Sequence, residues 1–474
     1  MDIHIIDLII FIGYLIFMLG VGVYFLNKNK SKEDYYVGGR NMSAGHIGLS
    51  VVATDVGGGF SIGLGGLGFI MGLSGSWMLF TGLLGAWISA VFLIPKVYPI
   101  AKKHQFLTFP QSLAFHYNTK VALMAGIISL IGYIGFTSSQ ILAGAKLASA
   151  TFPSISITKA VLIMGVIAVV YTVIGGIKAV IYTDTIQWII LMIGLVGIGI
   201  PVGYIEIGGW NAITEAVPSS FLSLSNVKFI DLFNWIITIV PIWFVGMTLY
   251  QRIYACKDEQ TAKKAWKIAG FFEYPVMAFM GVALGLFSRV AYEQGMFASI
   301  GYSPDGVLLD AELGLPLLLR TILPVGLMGL MMSAYFSAIM STADSCLMAA
   351  SGNLTTDIFG YFKKTISIKN SQFITFLIGG IAIIIATLMH NVLELMLYSY
   401  AFMVSGLLIP VLGSLLLKNP SSTAAFYSMI VGGSTTLILI VSELILPFDL
   451  DANFFGITAA FIVFTIIQKT DVKK

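Results

Sequence analysis

Long apolar runs separated by short polar stretches repeat along almost the whole chain. A run of roughly 20 apolar residues is long enough for an α-helix to cross the hydrocarbon core of a bilayer. The pattern therefore predicts an all-α, polytopic membrane protein with about 13 transmembrane helices. Their expected positions are about residues 5–26, 45–72, 75–100, 120–150, 158–177, 180–203, 229–252, 268–292, 316–350, 373–389, 392–417, 423–446 and 451–468.

The composition agrees with a chain that lies mostly in lipid. Of its 474 residues, 57% are hydrophobic and 10% are charged, and the mean hydropathy is +0.92. Soluble domains contain about 25% charged residues and fewer apolar ones. No linker or low-complexity tract divides the chain, so we expect a single membrane transport domain over residues 1–474.

Basic residues cluster on one set of loops. If successive spans place the loops alternately on the two sides, most of the 26 Lys and Arg residues share one side, and the exceptions are Lys146, Lys159, Lys228, Arg289 and Arg320. The positive-inside rule then predicts a plasma membrane protein, in the inner membrane if bacterial, with its N-terminus outside and its C-terminus in the cytoplasm. The expected partners are the lipid bilayer and a small solute, with no nucleic acid and no obligate protein partner.

The first apolar run also bears on localisation. It has no basic start and no small-residue cleavage site before Asn27, so we expect a retained helix and not a signal peptide.

Hydroxyl groups and a carboxylate interrupt the ninth predicted span. Ala338, Ser341, Thr342 and Ser345 are separated by three, four and seven positions, so they share one face of a helix, and Asp344 adds a charge. A dehydrated cation can exchange its water for such oxygens. An ionisable residue at membrane depth is a functional-site hypothesis by default. The alternative is that the hydroxyls bond to carbonyls of their own helix and that the carboxylate lies near inner water.

Two other spans contain signals that interrupt a helix. Asp55 precedes the three glycines Gly57–Gly59, where the backbone can unwind and leave carbonyl groups free to coordinate an ion. Pro241 and Gly246 flank Trp243 in the seventh span, and proline removes one helical hydrogen bond. Paired interruptions indicate a transporter built from two inverted repeats. The alternative is that these glycines only allow close helix packing.

Asp184 is a third acid within an apolar run. It follows Lys178 by six residues, which places it about 9 Å into the helix if the lysine marks the inner surface. Asp184 would reach Ser341 and Ser345 if their two helices pack together. The alternative is a helix cap exposed to inner water.

Motifs for other protein classes are missing from the sequence. There is no Gly-x-x-x-x-Gly-Lys followed by Ser or Thr, and the five histidines form no metal-binding pair. We therefore expect no enzyme activity and no organic cofactor. A channel is the remaining alternative, because interrupted helices also line pores.

Several segments, in order, resemble the sodium/solute symporter family, which includes carriers for glucose, proline, sialic acid, pantothenate and choline. Met340–Ser345, followed by Ala350-Ser351 and Asp357-Ile358-Phe359, is similar to the signature of that family. Residues 34–40, 175–187 and 251–258 are similar to other segments of the same family. The resemblance covers nearly the whole chain.

This resemblance implies the leucine-transporter-type fold. The implied parts are an extra first helix at 5–26, a first repeat of five spans at 45–203, an inverted second repeat of five spans at 229–417, and two peripheral helices at 423–468. It also implies sodium-coupled symport of a small organic solute by alternating access, with Na⁺ as the co-transported ion.

The resemblance further implies ion sites by matching position. The main sodium site would use the backbone carbonyls of Ala53, Val56 and Ala338 and the hydroxyls of Ser341 and Thr342. A second sodium site, present in only some members of the family, would map to Asp184, Ser341, Asp344 and Ser345. Because Asp344 stands where the two-site pattern can have a serine, a proton site is the alternative there.

Asp55 bears on the choice of solute. It resembles the acid found at this place in sodium/proline carriers, where sugar carriers have an amide, and its charge favours an amino-acid-like or amine-bearing solute. The alternatives are a sugar or carboxylate substrate, or a proton-coupled carrier of the same fold. Lys146 is expected to extend to the outer interface. The other expected solute-binding residues are Gly58, Phe60, Gln140, Trp243, Thr248, Phe402 and Ser405.

Overall fold

Helices form almost all of the regular structure. The protein is represented by a computed structural model, which describes residues 4–26, 32–152, 154–304, 309–364 and 366–471. Within these ranges, β character is limited to one isolated bridge between Met42 and Cys256. The α-helices are α1 (Ile5–Leu26), α2 (Lys32–Val37), α3 (Ala44–Met71), α4 (Trp77–Phe92), α5 (Ile94–His104), α6 (Phe109–His116), α7 (Thr119–Thr151), α8 (Ile157–Leu191), α9 (Ile200–Glu206), α10 (Gly209–Ala216), α11 (Phe229–Val245), α12 (Met247–Ala255), α13 (Glu259–Phe271), α14 (Ala278–Glu293), α15 (Ala311–Ile322), α16 (Leu327–Gly352), α17 (Phe359–Tyr361), α18 (Ile368–Leu388), α19 (Val392–Leu416), α20 (Ser422–Val441) and α21 (Ala452–Asp471). Three π-helical stretches, Met192–Gly199, Phe272–Met277 and Asn353–Ile358, and four 3₁₀ turns, Gly72–Ser76, Ser219–Leu222, Ala298–Ile300 and Pro447–Asp449, connect some of them.

Many of these helices can cross a membrane. In the described part of the chain, eight stretches are long and apolar enough, and a ninth is added if the bent pair α11 and α12 is one span. One of the eight, Ala44–Phe92, contains both α3 and α4 and therefore covers two predicted spans. The expected all-α, polytopic membrane fold is confirmed, whereas the count of about 13 spans stays a prediction.

Helices α3 and α16 lie at the centre of the molecule. Every residue of α16 from Met331 to Gly352 is buried, and so is every residue of α3 from Ser50 to Gly66. The two helices pack against each other; α7 and α8 also pack on α16, and α13 and α14 on α3. The polar residues of both helices are therefore enclosed by protein and separated from lipid.

Three interruptions bend the helices around this centre. Gly57 has φ 40° and ψ −167°, which breaks α3, and α11 and α12 meet at Gly246 with a bend of 42°. These two breaks confirm the interruptions predicted at Gly57–Gly59 and Pro241–Gly246. A third break lies at Tyr274, where φ is −135° and ψ is 122°. This third break was not among those that we expected, although Tyr274 precedes Pro275 and proline interrupts helices.

The terminal helices lie outside the centre. Helix α1 packs against α8 and α16, while α20 and α21 pair with each other and pack against α19. This placement agrees with one additional helix at the start and two at the end. The residue boundaries of the two repeats stay a prediction.

Candidate functional site

Oxygen atoms from α3 and α16 converge at the break in α3. The Thr342 hydroxyl donates to the Ala53 carbonyl at 3.1 Å and lies 3.4 Å from the Ala338 carbonyl oxygen. Three of the five expected main-site groups therefore meet at one point. Val56, the fourth, is buried beside the break. The hydroxyl of Ser341, the fifth, is turned the other way and donates to Asp184 at 2.6 Å.

Glycine allows this close approach. A Cβ atom on Gly57 would lie 1.9 Å from the Thr342 hydroxyl oxygen, and the positive φ of Gly57 is unfavourable for other residues. The hydroxyl of Ser61 donates to the Gly57 carbonyl at 2.6 Å, which satisfies a carbonyl group that the break releases. A Cβ atom on Gly58 would lie 2.1 Å from the Ile339 side chain. The glycines of the break are thus in direct contact with α16.

Two of the residues expected to form a second ion site, Asp184 and Ser345, contact Arg252, which is fully buried. One terminal nitrogen of Arg252 lies 3.2 Å from Asp184 Oδ2, 2.6 Å from the Thr54 hydroxyl and 2.7 Å from the Ser345 hydroxyl. Its Nε donates to the Ser50 hydroxyl at 2.9 Å, and that hydroxyl donates to Asp184. We call Arg252, Asp184, Ser50, Thr54 and Ser345 the Arg252 network. A guanidinium group thus already supplies the positive charge among these oxygens.

Asp344 lies apart from that network. Its Oδ1 accepts a hydrogen bond at 2.6 Å from Thr172 on α8, and its Oδ2 has no hydrogen-bond donor within the described structure. Of the four residues expected at the second site, Asp184, Ser341 and Ser345 are brought together, whereas Asp344 faces another helix. A site that includes all four residues does not correspond to this arrangement.

A second buried ion-pair network ties α7, α15 and α19 together. Lys146 Nζ lies 2.6 Å from Asp310 Oδ2 and 2.7 Å from Glu312 Oε2. The Glu312 carboxylate also accepts from the backbone N–H groups of Val392 and Leu393 at 2.9 Å. We call these five residues the Lys146 network. Only 4% of Lys146 is exposed, so the expectation that it extends to the outer interface was wrong, because two carboxylates hold its ammonium group inside.

The two networks lie on opposite sides of the α3 break. Ser50 and Thr54 of the Arg252 network precede Gly57 along the helix. Gly66 follows the break, and a Cβ atom there would lie 3.3 Å from Glu312 of the Lys146 network. The break therefore has one network on each side of it along α3.

Some expected solute-binding residues lie near the break. Gln140 on α7 accepts from the Gly59 backbone N–H at 3.0 Å. The Thr248 hydroxyl lies 3.1 Å from the Tyr133 hydroxyl. The backbone N–H of Thr248 also donates to the Tyr133 hydroxyl oxygen. The others, Asp55, Phe60 and Trp243, are buried in the same central region.

Phe402 and Ser405 lie on a different face of α19. A Cβ atom on Gly433 of α20 would contact the Phe402 ring at 3.4 Å, and the Ser405 hydroxyl lies 2.6 Å from the Thr436 hydroxyl, also on α20. Both residues thus face the peripheral helix α20 in this structure, and their part in solute binding stays a prediction.

Two residues beside Asp55 were not among those expected. The Tyr400 hydroxyl lies 3.4 Å from Asp55 Oδ1. The Glu273 carboxyl group lies near Asp55, since a Cβ atom on Gly82 would be 2.1 Å from Glu273 Oε2 and 4.0 Å from Asp55 Oδ2. Glu273 is a single acid within an apolar run, two residues before Pro275. An ionisable residue beside a helix-breaking proline is the signal that marks it in the sequence.

Known proteins share both the sequence pattern and the fold. The chain is 27% identical over 475 residues to sodium/glucose cotransporter 1 of Oryctolagus cuniculus, covering 90% of this chain and 70% of that protein. It is 27% identical over 440 residues to the high-affinity proline transporter of Bacillus subtilis, covering 89% of each. The structure is similar, with a TM-score of 0.79, 22% identity and 98% coverage of both chains, to a Na⁺-coupled sialic acid symporter in a substrate-bound outward-open state.

A family-level match extends over most of the sequence. The profile of the sodium:solute symporter family matches residues 35–432, which include the α3 break and both networks. The chain belongs to the sodium:solute symporter family.

Proposed function

We propose that this protein is a secondary active transporter that couples the entry of Na⁺ to the uptake of a small organic solute. The observation that carries the proposal is the contact between Thr342 of α16 and the Ala53 carbonyl at the break in α3. Uncharged hydroxyl and carbonyl oxygens are suitable ligands for a hard monovalent cation. A Na⁺ ion bound there would join the two central helices. Membership of the family and the sodium-coupled relatives support this assignment.

In an alternating-access mechanism, each of the two networks would close one side of the transporter. Opening on the side of α15 would separate the Lys146 network, and opening on the other side would separate the Arg252 network. Sodium binding between α3 and α16 would favour the arrangement in which solute is captured. A single Na⁺ moving inward through 100 mV releases about 2.3 kcal/mol, which supports more than tenfold solute accumulation.

The orientation is part of the proposal. The distribution of Lys and Arg places the N-terminus outside and the C-terminus in the cytoplasm. The Lys146 network is then the outer closure and the Arg252 network the inner one. We also propose an amino-acid-like or amine-bearing solute, because Asp55 is buried next to the break.

Thermal stability of the detergent-purified protein tests sodium binding. We expect NaCl, compared with KCl, to raise the melting temperature, because a ligand specific for the folded state stabilises it by about 2.7 kcal/mol at 100 times its Kd. Thr342→Ala should remove most of this sodium effect. Ser337→Ala is the matched control, because that hydroxyl lies on the same buried helix but donates to Tyr14. Equal responses of the two variants to Na⁺ would refute the assignment of the site.

Coupling to a solute needs a separate measurement. In proteoliposomes, an inward Na⁺ gradient should drive saturable, uphill uptake of the solute that adds most stability in NaCl. Uptake that only follows the solute gradient would indicate a channel and contradict symport.

The Lys146 network provides a prediction about gating. Lys146→Met leaves the Glu312 carboxylate, which is only 4% exposed, without its cation. Breaking a buried ion pair in this way is unfavourable by about 3–5 kcal/mol, so the closed state should become less populated. Ser149 lines the cavity of about 420 Å³ beside Lys146. We expect a cysteine introduced at position 149 to react with a maleimide about tenfold faster in Lys146→Met than in the protein that keeps Lys146. Cys256 and Cys346 are buried and should contribute little background.

Lys159→Met is the control for this experiment, because Lys159 is exposed on the neighbouring helix α8. An unchanged reaction rate in Lys146→Met would show that the network does not control access.

A further inference from the structure

Two acidic side chains meet in the interior beside the α3 break. Asp55 belongs to α3, and Glu273 belongs to the π-helical stretch between α13 and α14. Asp55 is 5% exposed and Glu273 is 0% exposed, and their carboxyl groups lie near each other, because both approach Gly82 of α4. Acidic groups are rare inside proteins unless a cation or several donors accompany them.

Neither group has such a companion among the described residues. No Lys, Arg or His in this part of the chain forms an ion pair with either acid. The Tyr400 hydroxyl, at 3.4 Å from Asp55 Oδ1, is a distant donor to the pair. Three oxygens, Asp55 Oδ2 and both carboxyl oxygens of Glu273, receive no hydrogen bond from an N–H or hydroxyl group of the described protein. The pair therefore has unused capacity to accept hydrogen bonds.

A glycine of α4 lies directly against the pair. A Cβ atom on Gly82 of α4 would lie 2.1 Å from Glu273 Oε2 and 4.0 Å from Asp55 Oδ2. One turn later, a Cβ atom on Gly85 would lie 2.2 Å from the Trp243 ring. The indole N–H of Trp243 also has no hydrogen-bond partner in the described structure. The two acids and the indole thus line one glycine face of α4, close to the expected solute site.

We propose that Asp55 and Glu273 together bind the protonated amine of the transported solute. This inference rests on the proposed symport function and specifies its substrate class. A primary ammonium group has three N–H donors, which matches the three unpaired carboxyl oxygens. One Na⁺ at the main site and one ammonium group would together balance the two negative charges. A neutral solute would leave the pair with uncompensated charge.

A metal ion fits the pair less well than an ammonium group does. Ca²⁺ uses about six to eight oxygen ligands, whereas the pair supplies four carboxyl oxygens. Within the described residues, no group of three or more His, Cys, Asp or Glu could hold a metal ion. An ammonium group is satisfied by three acceptors.

Matched pairs of compounds test the proposal. The melting temperature of the purified protein in NaCl would be measured with L-alanine and L-lactate, L-proline and tetrahydrofuran-2-carboxylate, ethanolamine and ethylene glycol, and D-glucosamine and D-glucose. In each pair, only one compound contains a basic nitrogen. We expect at least one amine to stabilise the protein, and its nitrogen-free counterpart to bind at least tenfold more weakly.

Glu273→Gln is the diagnostic variant. The amide has the same shape and can donate to Asp55, so the fold and the Na⁺ response should persist, whereas affinity for the amine should fall at least tenfold. Gly82→Ala should have a similar effect, because its methyl group would displace Glu273 Oε2. Glu394→Gln is the matched control: this glutamate is exposed near the start of α19, and its loss should leave amine affinity unchanged.

The outcomes separate the two proposals. Equal or tighter binding of the nitrogen-free compounds, or an unchanged amine preference in Glu273→Gln, would overturn the amine site while leaving sodium binding intact. The absence of any response to all eight compounds, in protein that Na⁺ stabilises, would also count against it. A protein that Na⁺ fails to stabilise but that still prefers amines would instead overturn sodium coupling and support the amine site.

Discussion

Replacing Arg252 with methionine is expected to destabilise the protein by about 3–5 kcal/mol. The substitution leaves Asp184 fully buried without its ion-pair partner and removes a donor to the hydroxyls of Thr54 and Ser345. A methionine fills similar space but cannot neutralise a carboxylate in the interior. The loss would be measured as a lower melting temperature in detergent, with Na⁺ and K⁺ compared in parallel.

The double variant Asp184→Asn with Arg252→Met provides the critical comparison. Removing both charges should restore much of the stability, because an uncharged amide is easier to bury than an unpaired carboxylate. Lys263→Met is the control for loss of a basic side chain, since Lys263 pairs with Glu259 at a partly exposed position where ion pairs contribute about 0–1 kcal/mol. If Arg252→Met were as stable as Lys263→Met, the Arg252 network could not be the inner closure.

The helix breaks could be predicted from sequence because their causes are local. Three consecutive glycines, or a proline close to a glycine, weaken a helix wherever they occur. The structure places interruptions at Gly57 and Gly246, as these residues indicate. The contact between Thr342 and Ala53 then depends on which helices pack together. It was expected only through the resemblance to known symporters.

The faces of the central helices could not be predicted from sequence. A helix that is surrounded by protein is apolar on all sides, so it has no stripe that indicates its rotation. For this reason Phe402 and Ser405 were expected at the solute site, although Tyr400 of the same helix is the residue that reaches Asp55. Tyr400 and Ser405 are five positions apart on α19, so their side chains project in different directions.

The distribution of charges along the sequence could not predict which basic residues are buried. The positive-inside rule assigns basic residues to loops and therefore does not distinguish a loop residue from one that is buried in an ion pair. Arg252 and Lys146 are both buried in ion pairs with acids that are distant in sequence. Only the folded arrangement of α7 with α15, and of α12 with α8, brings those partners together. A basic residue at the end of an apolar run can thus lie inside the protein, paired with an acid from another helix.

Substitution of Gly57 by alanine is expected to abolish sodium binding, with affinity reduced at least about 100-fold. The added methyl carbon would lie 1.9 Å from the Thr342 hydroxyl oxygen, and a φ of 40° is itself unfavourable for alanine by about 1–2 kcal/mol. Helices α3 and α16 would have to separate, which moves the Ala53 carbonyl away from Thr342. The measurement is the difference in melting temperature between NaCl and KCl.

Gly380→Ala is the control for an added methyl group, because a Cβ atom there has no neighbour within 4 Å and the residue lies inside helix α18. That substitution should be neutral or slightly stabilising. Retained Na⁺ stabilisation in Gly57→Ala would show that the close approach of the two helices is unnecessary for ion binding.

A second variant separates steric clash from loss of a ligand. The three atoms nearest to the added methyl group are Oγ1, Cβ and Cγ2 of Thr342, and Thr342→Gly removes all three. The double variant Gly57→Ala with Thr342→Gly should therefore be more stable than Gly57→Ala alone, while still failing to respond to Na⁺. Recovery of stability without recovery of ion binding would identify the threonine hydroxyl as a ligand in addition to a packing contact. Recovery of both would mean that the hydroxyl is not required for binding and that Na⁺ is held by other groups.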